Sequence, residues 1–175
     1  MSKRLNLREF QQNLIDQLQA ENLSAARVST LGVQIAGQSW LVDMVDVGEV
    51  LPIPALTVVP FVKPWFRGVA NIRGNLYGVV DVATYLQMAA SPFAASGGSG
   101  QASGSIDNRI LLVANRYVFN VALLVDNVLG LRDAREWKQS EVDGQIEYQD
   151  EQGAVWHKLD VTALLGQDEF LQIGS

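Results

Sequence analysis

Two stretches of this chain repeat each other at a distance of 79 residues: Gly74–Leu86 reads GNLYGVVDVATYL and Gly153–Leu165 reads GAVWHKLDVTALL. Each opens on glycine and follows it with an aliphatic and an aromatic residue, Leu76-Tyr77 and Val155-Trp156. Each closes a strand-like run on aliphatic-Asp-Val and continues into a short apolar helix. A second echo, Val45-Asp46 with Val125-Asp126, falls at an offset of 80. Two matches at nearly one offset indicate a duplicated unit of about 80 residues. Short strands ending in one helical turn are the pattern of a small β-barrel. In that scheme Asp81 and Asp160 cap their helices, each carboxylate accepting free N–H groups of the first turn. That role is structural.

The rest of the chain reads as mainly β. LGVQIAGQSWLVDMV, from Leu31, gives two strands joined at Gly37-Gln38. Four prolines between Pro52 and Pro64 confine that segment to edge or irregular structure. FRGVANIRGNLYGVVDV (Phe66–Val82) reads as a hairpin turning at Gly74-Asn75, with Ile72 facing Tyr77 and Ala70 facing Val79. Asn71, Arg73, Leu76 and Gly78 then share the opposite, mixed face. Beyond residue 107 come a strand–turn–strand with its turn near Asn115-Arg116 and an acid-bearing stretch with a strand at Ile146–Tyr148 and a turn at DEQG. A last strand and helix end the pattern. Before it all, Leu7, Phe10, Leu14, Ile15 and Leu18 fall at helical spacing, with Asn6 placed to cap them. That amphipathic helix either packs on its own domain or docks a partner.

In SPFAASGGSGQASGS (Ser91–Ser105), 13 of 15 residues are Gly, Ser, Ala or Pro. Such a segment buries too little apolar surface to offset its ordering entropy. It reads as a flexible connector spanning roughly 20 Å. The expected organisation is therefore a helical extension over residues 1–27 and a β domain over 28–170. Within that domain, one barrel covers about 28–90, the connector 91–106 and a second barrel 107–165.

Composition removes several functions. A net charge of −6 leaves no basic face for phosphates, which argues against nucleic-acid binding, an oligonucleotide-binding barrel included. There is no cysteine, hence no disulfide or thiolate chemistry. The charged first dozen residues do not form a signal peptide, and Asn115, Arg116, Asn120 and Asp126 interrupt the most apolar run, so no membrane insertion is expected. These features fit a cytoplasmic protein. The glycines of Gly68–Gly74 match neither the P-loop nor the dinucleotide fingerprint. His157 is the only histidine, so no His pair for a metal and no Ser/His/acid set exists. No catalytic residue, metal or cofactor is expected.

At GVANIRGNLYGVVDV the chain resembles the CheW-type chemotaxis coupling proteins. Gly68, Val69, Ala70, Asn71, Ile72, Arg73 and Gly74 match the family signature in order, and Val79–Val82 match its end. ALLVDNV resembles the second signature, and Val47-Gly48-Glu49-Val50 a third, so the resemblance runs from about Leu31 to Leu165. Gly78 stands where the family favours proline, and Ala122 where it favours glycine. The amino-terminal extension and the tryptophan beside the first motif are similar to the PilI type, associated with type IV pili and twitching motility.

The resemblance implies two SH3-like five-stranded barrels sharing a hydrophobic core, and an adaptor without enzymatic activity. It implies partners as well: a CheA-type histidine kinase and the cytoplasmic tip of a methyl-accepting chemoreceptor, in an array-type assembly. Arg73 and Glu49 carry over as motif charges and are expected to pair. Asn71, Gly74, Leu76, Val47 and Val125 complete the expected partner surface, the aliphatic ones as its apolar centre. A barrel module that binds a peptide or a metabolite, with no kinase partner, is the alternative the residues leave open.

Overall fold

The computed structural model describes residues 11–13, 15–17, 30–88 and 108–174. Residues 11–13 and 15–17 are helical; the rest of the expected amino-terminal helix and the Gly/Ser connector lie outside the described residues. The domain begins with β1 (Thr30–Ile35) and β2 (Gln38–Asp43), then a single 3-10 turn at Met44–Asp46. It continues through β3 (Val47–Pro52), β4 (Phe66–Ile72), β5 (Asn75–Asp81) and α1 (Val82–Tyr85). After the connector come β6 (Arg109–Val113), β7 (Val121–Val125), β8 (Asn127–Arg132), β9 (Lys138–Val142), β10 (Gln145–Gln149) and β11 (Val155–Leu159). Two short helices, α2 (Val161–Leu165) and α3 (Asp168–Leu171), follow.

These strands make two sheets, ordered β8-β1-β2-β11-β10-β9 and β3-β6-β7-β5-β4. The connector does not divide them. The β1–β2 hairpin lies in the sheet built mostly from the second half, where β2 runs parallel to β11, and β6–β7 lies in the first half's sheet, where β7 runs parallel to β5. Matching the two repeats strand by strand pairs β1 with β6, β2 with β7, β3 with β8, β4 with β10 and β5 with β11. Under that exchange one sheet order becomes the other, with β9 as an added edge. The duplication is therefore intertwined: each unit lends its first hairpin to the other. The split at residues 91–106 separates units of sequence, while each sheet is assembled from both.

The two crossings are short. Residues 44–46 carry the chain from β2 into the five-stranded sheet, and Asp126 alone carries it back from β7 to β8. In the five-stranded sheet the chain also joins the two edges: beyond β3, Thr57 exchanges hydrogen bonds of 2.8 and 2.9 Å with Val69 of β4.

Alternate side chains of the five-stranded sheet serve two cores. Val80, Leu111, Val113, Leu123 and Val125 face a large cluster shared with Leu31, Val33, Ile35 and Val42 of the other sheet. Ala70, Ile72, Val79, Ile110, Leu112, Ala122 and Leu124 form a second cluster, covered by Leu51, Ile53, Leu56 and Tyr77. Burial on both faces explains why β6 and β7 are nearly continuous apolar runs.

Gly78 stands where these strands meet the ring of Phe66: a Cβ there would lie 2.9 Å from Phe66 Cε2. Its N–H donates to the Asn120 carbonyl at 3.0 Å, a bond a proline would remove. Gly78→Ala should displace the Phe66 ring and cost about 1–3 kcal/mol. Urea unfolding checks this, and Gly78→Pro should cost more.

Three hairpins use one kind of turn. Ala36-Gly37, Arg73-Gly74 and Asp143-Gly144 have positive φ at both positions (49° and 77°, 53° and 85°, 50° and 78°). Such primed turns match the twist of the flanking strands. Two turns thus sit one residue earlier than the sequence suggests, at Ala36-Gly37 and Arg73-Gly74, because the glycine takes the second central position. The β4–β5 register pairs Ile72 with Asn75 and Ala70 with Tyr77, shifting partners by two and leaving the apolar face intact. β9 is an addition, a strand that the sequence reading did not contain.

Asp81 accepts the N–H of Thr84 at 3.2 Å, and Asp160 that of Ala163 at 2.9 Å. At the carboxyl end, Phe170 of α3 stacks on Trp65, with centroids 5.7 Å apart, and Tyr85 meets both rings edge-on. Beyond it, Gly174 bridges to Val62, and Lys63 N–H donates to the Ile173 carbonyl at 2.8 Å.

Candidate functional site

The β4–β5 turn lifts Arg73 out of the sheet, and its guanidinium grips Glu49 of β3 with two hydrogen bonds, 2.7 and 2.6 Å. β3 and β4 are the opposite edges of the five-stranded sheet, so the pair ties one edge strand to the turn beyond the other. A planar guanidinium fork suits this bidentate hold. The Glu49 hydrogen bond, and then its charge, hold the Arg73 pKa above the ordinary arginine value. Arg73 remains 72% exposed and Glu49 33%. Asn71 Oδ1 accepts the Gly74 N–H at 3.0 Å and pins the turn. Leu76, opposite Asn71 in register, is 62% exposed. Five of the expected surface residues therefore stand together.

Two do not. Val47 and Val125 are buried in the shared core, where neither offers a side chain to a partner. Val125 pairs with Arg109, whereas Glu49 pairs with Leu112 near the other end of β6. Other apolar residues occupy the Glu49 end. The β6–β7 loop lies there and exposes Val118 (94%) and Phe119 (43%), and the 44–46 crossing exposes Val45. The sequence pattern runs a strand to Val45 and sets the later turn near Asn115-Arg116, short of Val118 and Phe119; the structure puts all three in connections and the topology collects them.

A polar joint underlies this end. Asp46, almost fully buried, accepts from Tyr117 Oη at 2.7 Å and pairs with Arg116. Arg116 also donates to Tyr117 Oη, which lies 2.6 Å from Thr162 Oγ1 of α2. The crossing, the β6–β7 loop and the second unit's helix are thereby joined. Sequence reasoning passed over Arg116, Tyr117 and Thr162. Its one usable signal was the echo of Asp46 in Asp126.

Asp126 is held in the equivalent way by the β1–β2 turn, accepting the Gly37 N–H at 3.4 Å, while its own N–H donates to Gln34. Burial, the larger effect, raises its pKa; bonds from Gly37 and Ala36 oppose this, and the charge of Asp81 adds to it. A carboxyl raised on folding binds a proton in the native state before the unfolded chain does. Its contribution to stability is complete below the ordinary carboxylate value and is lost as pH rises through the native one. Asp126→Asn should remove that slope, so that the stability difference between variant and parent changes across this window and is flat above it. Unfolding followed from pH 3 to 8 checks the sign. Asp150, lowered by hydrogen bonds from the Trp156 indole and the backbone, slopes the opposite way.

Among the described residues no group of three or more His, Asp or Glu is placed to hold a metal, and no helix is long and apolar enough to cross a membrane. The CheW-like domain family matches residues 29–169. The protein PilI of Pseudomonas aeruginosa is 33% identical over 115 residues, 66% of this chain and 58% of PilI's own length. The scaffolding protein TtCheW of Thermoanaerobacter tengcongensis superimposes with a TM-score of 0.63 at 17% identity, over 81% of this chain and 94% of its own. That likeness establishes the fold. With two sheets, matched motifs and nearly the whole β domain aligned, this chain belongs to the CheW-like domain family.

Proposed function

We propose that the protein couples the cytoplasmic tip of a methyl-accepting chemoreceptor to a CheA-type histidine kinase, in a cytoplasmic system governing type IV pili and twitching motility. It works by contact and carries out no covalent step. The observation that carries this reading is the exposed Arg73–Glu49 clamp, set beside Leu76 at one end of the five-stranded sheet. Its likeness to PilI supports the pilus assignment. A preformed clamp offers a flat, weakly hydrated guanidinium face at little further ordering cost. Repeated weak contacts of this kind gain strength by avidity when many are linked in an array.

Reconstitution with kinase and receptor fragments tests it. Kinase autophosphorylation should rise when both are joined by this protein. Arg73→Ala should cut that rise at least tenfold while leaving thermal stability nearly unchanged, because exposed ion pairs contribute little to folding. Full stimulation by the folded variant would remove Arg73 from the contact. Absence of any stimulation by the parent protein would remove the coupling role itself.

A further inference from the structure

The six-stranded sheet ends on a strand that no described segment covers. β9 pairs with β10 alone, in unbroken register from Lys138↔Gln149 to Val142↔Gln145, and all five of its residues are exposed. The five-stranded sheet handles its outer strand differently, since Thr57 takes the free edge of β4. Residues flanking a two-residue turn exchange both backbone hydrogen bonds, and such pairs alternate along the ladder. Val142, Ser140 and Lys138 therefore turn their backbone groups toward β10. Gln139 and Glu141 turn N–H and C=O outward. Edges are normally blunted by short length, charged side chains, proline or a bulge; β9 has no proline and no bulge, and its charged side chains are Lys138 and Glu141.

The charge around this edge is one-sided. Between Glu136 and Glu151 stand six acids and one lysine, a net −5 of the chain's −6. Asp150 is engaged by the Trp156 indole, and Glu147 lies 3.6 Å from His157 Nδ1. Glu136, Glu141, Asp143 and Glu151 remain exposed. Val142 and Ile146, 46% and 41% exposed, offer an apolar foothold on each face of the hairpin. A second copy would bring a like-charged hairpin against this one, which disfavours self-pairing.

We propose that β9 accepts an extended basic segment of a partner protein as a seventh strand. The ladder runs through Gln139 and Glu141, and lysine or arginine side chains of the added strand meet the acids. This surface is separate from the Arg73–Glu49 end, so either can fail alone.

The probe is a blocked peptide of alternating arginine and valine, with a glutamate–valine peptide as control, added to the full-length protein. Amide exchange at Gln139 and Glu141 should slow at least tenfold at saturation, affinity should fall with salt, and the acidic peptide should not bind. Gln139→Pro removes an outward N–H and no charge. It should weaken the arginine peptide at least tenfold while Ser140 and Val142 stay protected. If the proline loosens the β9–β10 ladder, Glu141→Lys replaces it and should weaken the same peptide. Binding that survives either substitution, exchange at Gln139 and Glu141 that does not slow, or dimerisation through β9 would overturn the proposal.

Discussion

Gly68→Ala should cost the protein about 3 kcal/mol or more, since two independent penalties coincide at this position. Gly68 has φ +134°, a conformation that side chains rarely adopt. A Cβ built there would lie 2.3 Å from the Thr57 carbonyl oxygen and 3.0 Å from its carbon. Those are backbone atoms, fixed by the two hydrogen bonds between Thr57 and Val69. The clash cannot be relieved by rotating a side chain; it must push the 53–57 segment off β4. For a chain of this size the melting temperature should drop by roughly 6–12 °C. Calorimetry measures the loss, and faster exchange at the Thr57 and Val69 amides locates it. A melting temperature within 2 °C of the parent would contradict this account of the edge.

Phe170→Ala should destabilise by about 3–5 kcal/mol, the range for emptying a buried aromatic site. Phe170 is 3% exposed and packs against both Trp65 and Tyr85, which also touch each other. A four-residue helix cannot persist on its own, so α3 depends on that ring for its place. Its loss also frees the strand-like contact of residues 173–174 with 62–63. The near-ultraviolet circular dichroism should weaken, and the carboxyl end should become open to proteolysis. Phe170→Leu, which keeps most of the volume, should lose far less. Equal losses for the two variants would show that the ring stack is not what holds α3.

What could be read from the residues follows from the range of the forces involved. The repeated pattern, the capping aspartates and, to within a residue, the β1–β2 and β4–β5 hairpins are written in short local runs, and the chain states them openly. The Arg73–Glu49 pair required the family pattern, because 24 residues separate its partners. Val47 and Val125 were misplaced for a specific reason. On a sheet buried from both sides, alternation does not distinguish a core position from a surface one. The strand β9 was missed for the converse reason: KQSEV is exposed throughout and shows no apolar period. Exchange of the hairpins could not be read at all, because parallel pairing of β2 with β11 joins residues more than a hundred positions apart.

That exchange bears on how such a chain can be cut or inherited. Two copies of a single unit that trade their leading hairpins, then become fused tail to head, yield this same interleaving. Severing the backbone between residues 88 and 108 would accordingly release no free-standing half. Each fragment would hold a sheet with its middle strands missing, and the two would regain shape only by finding each other.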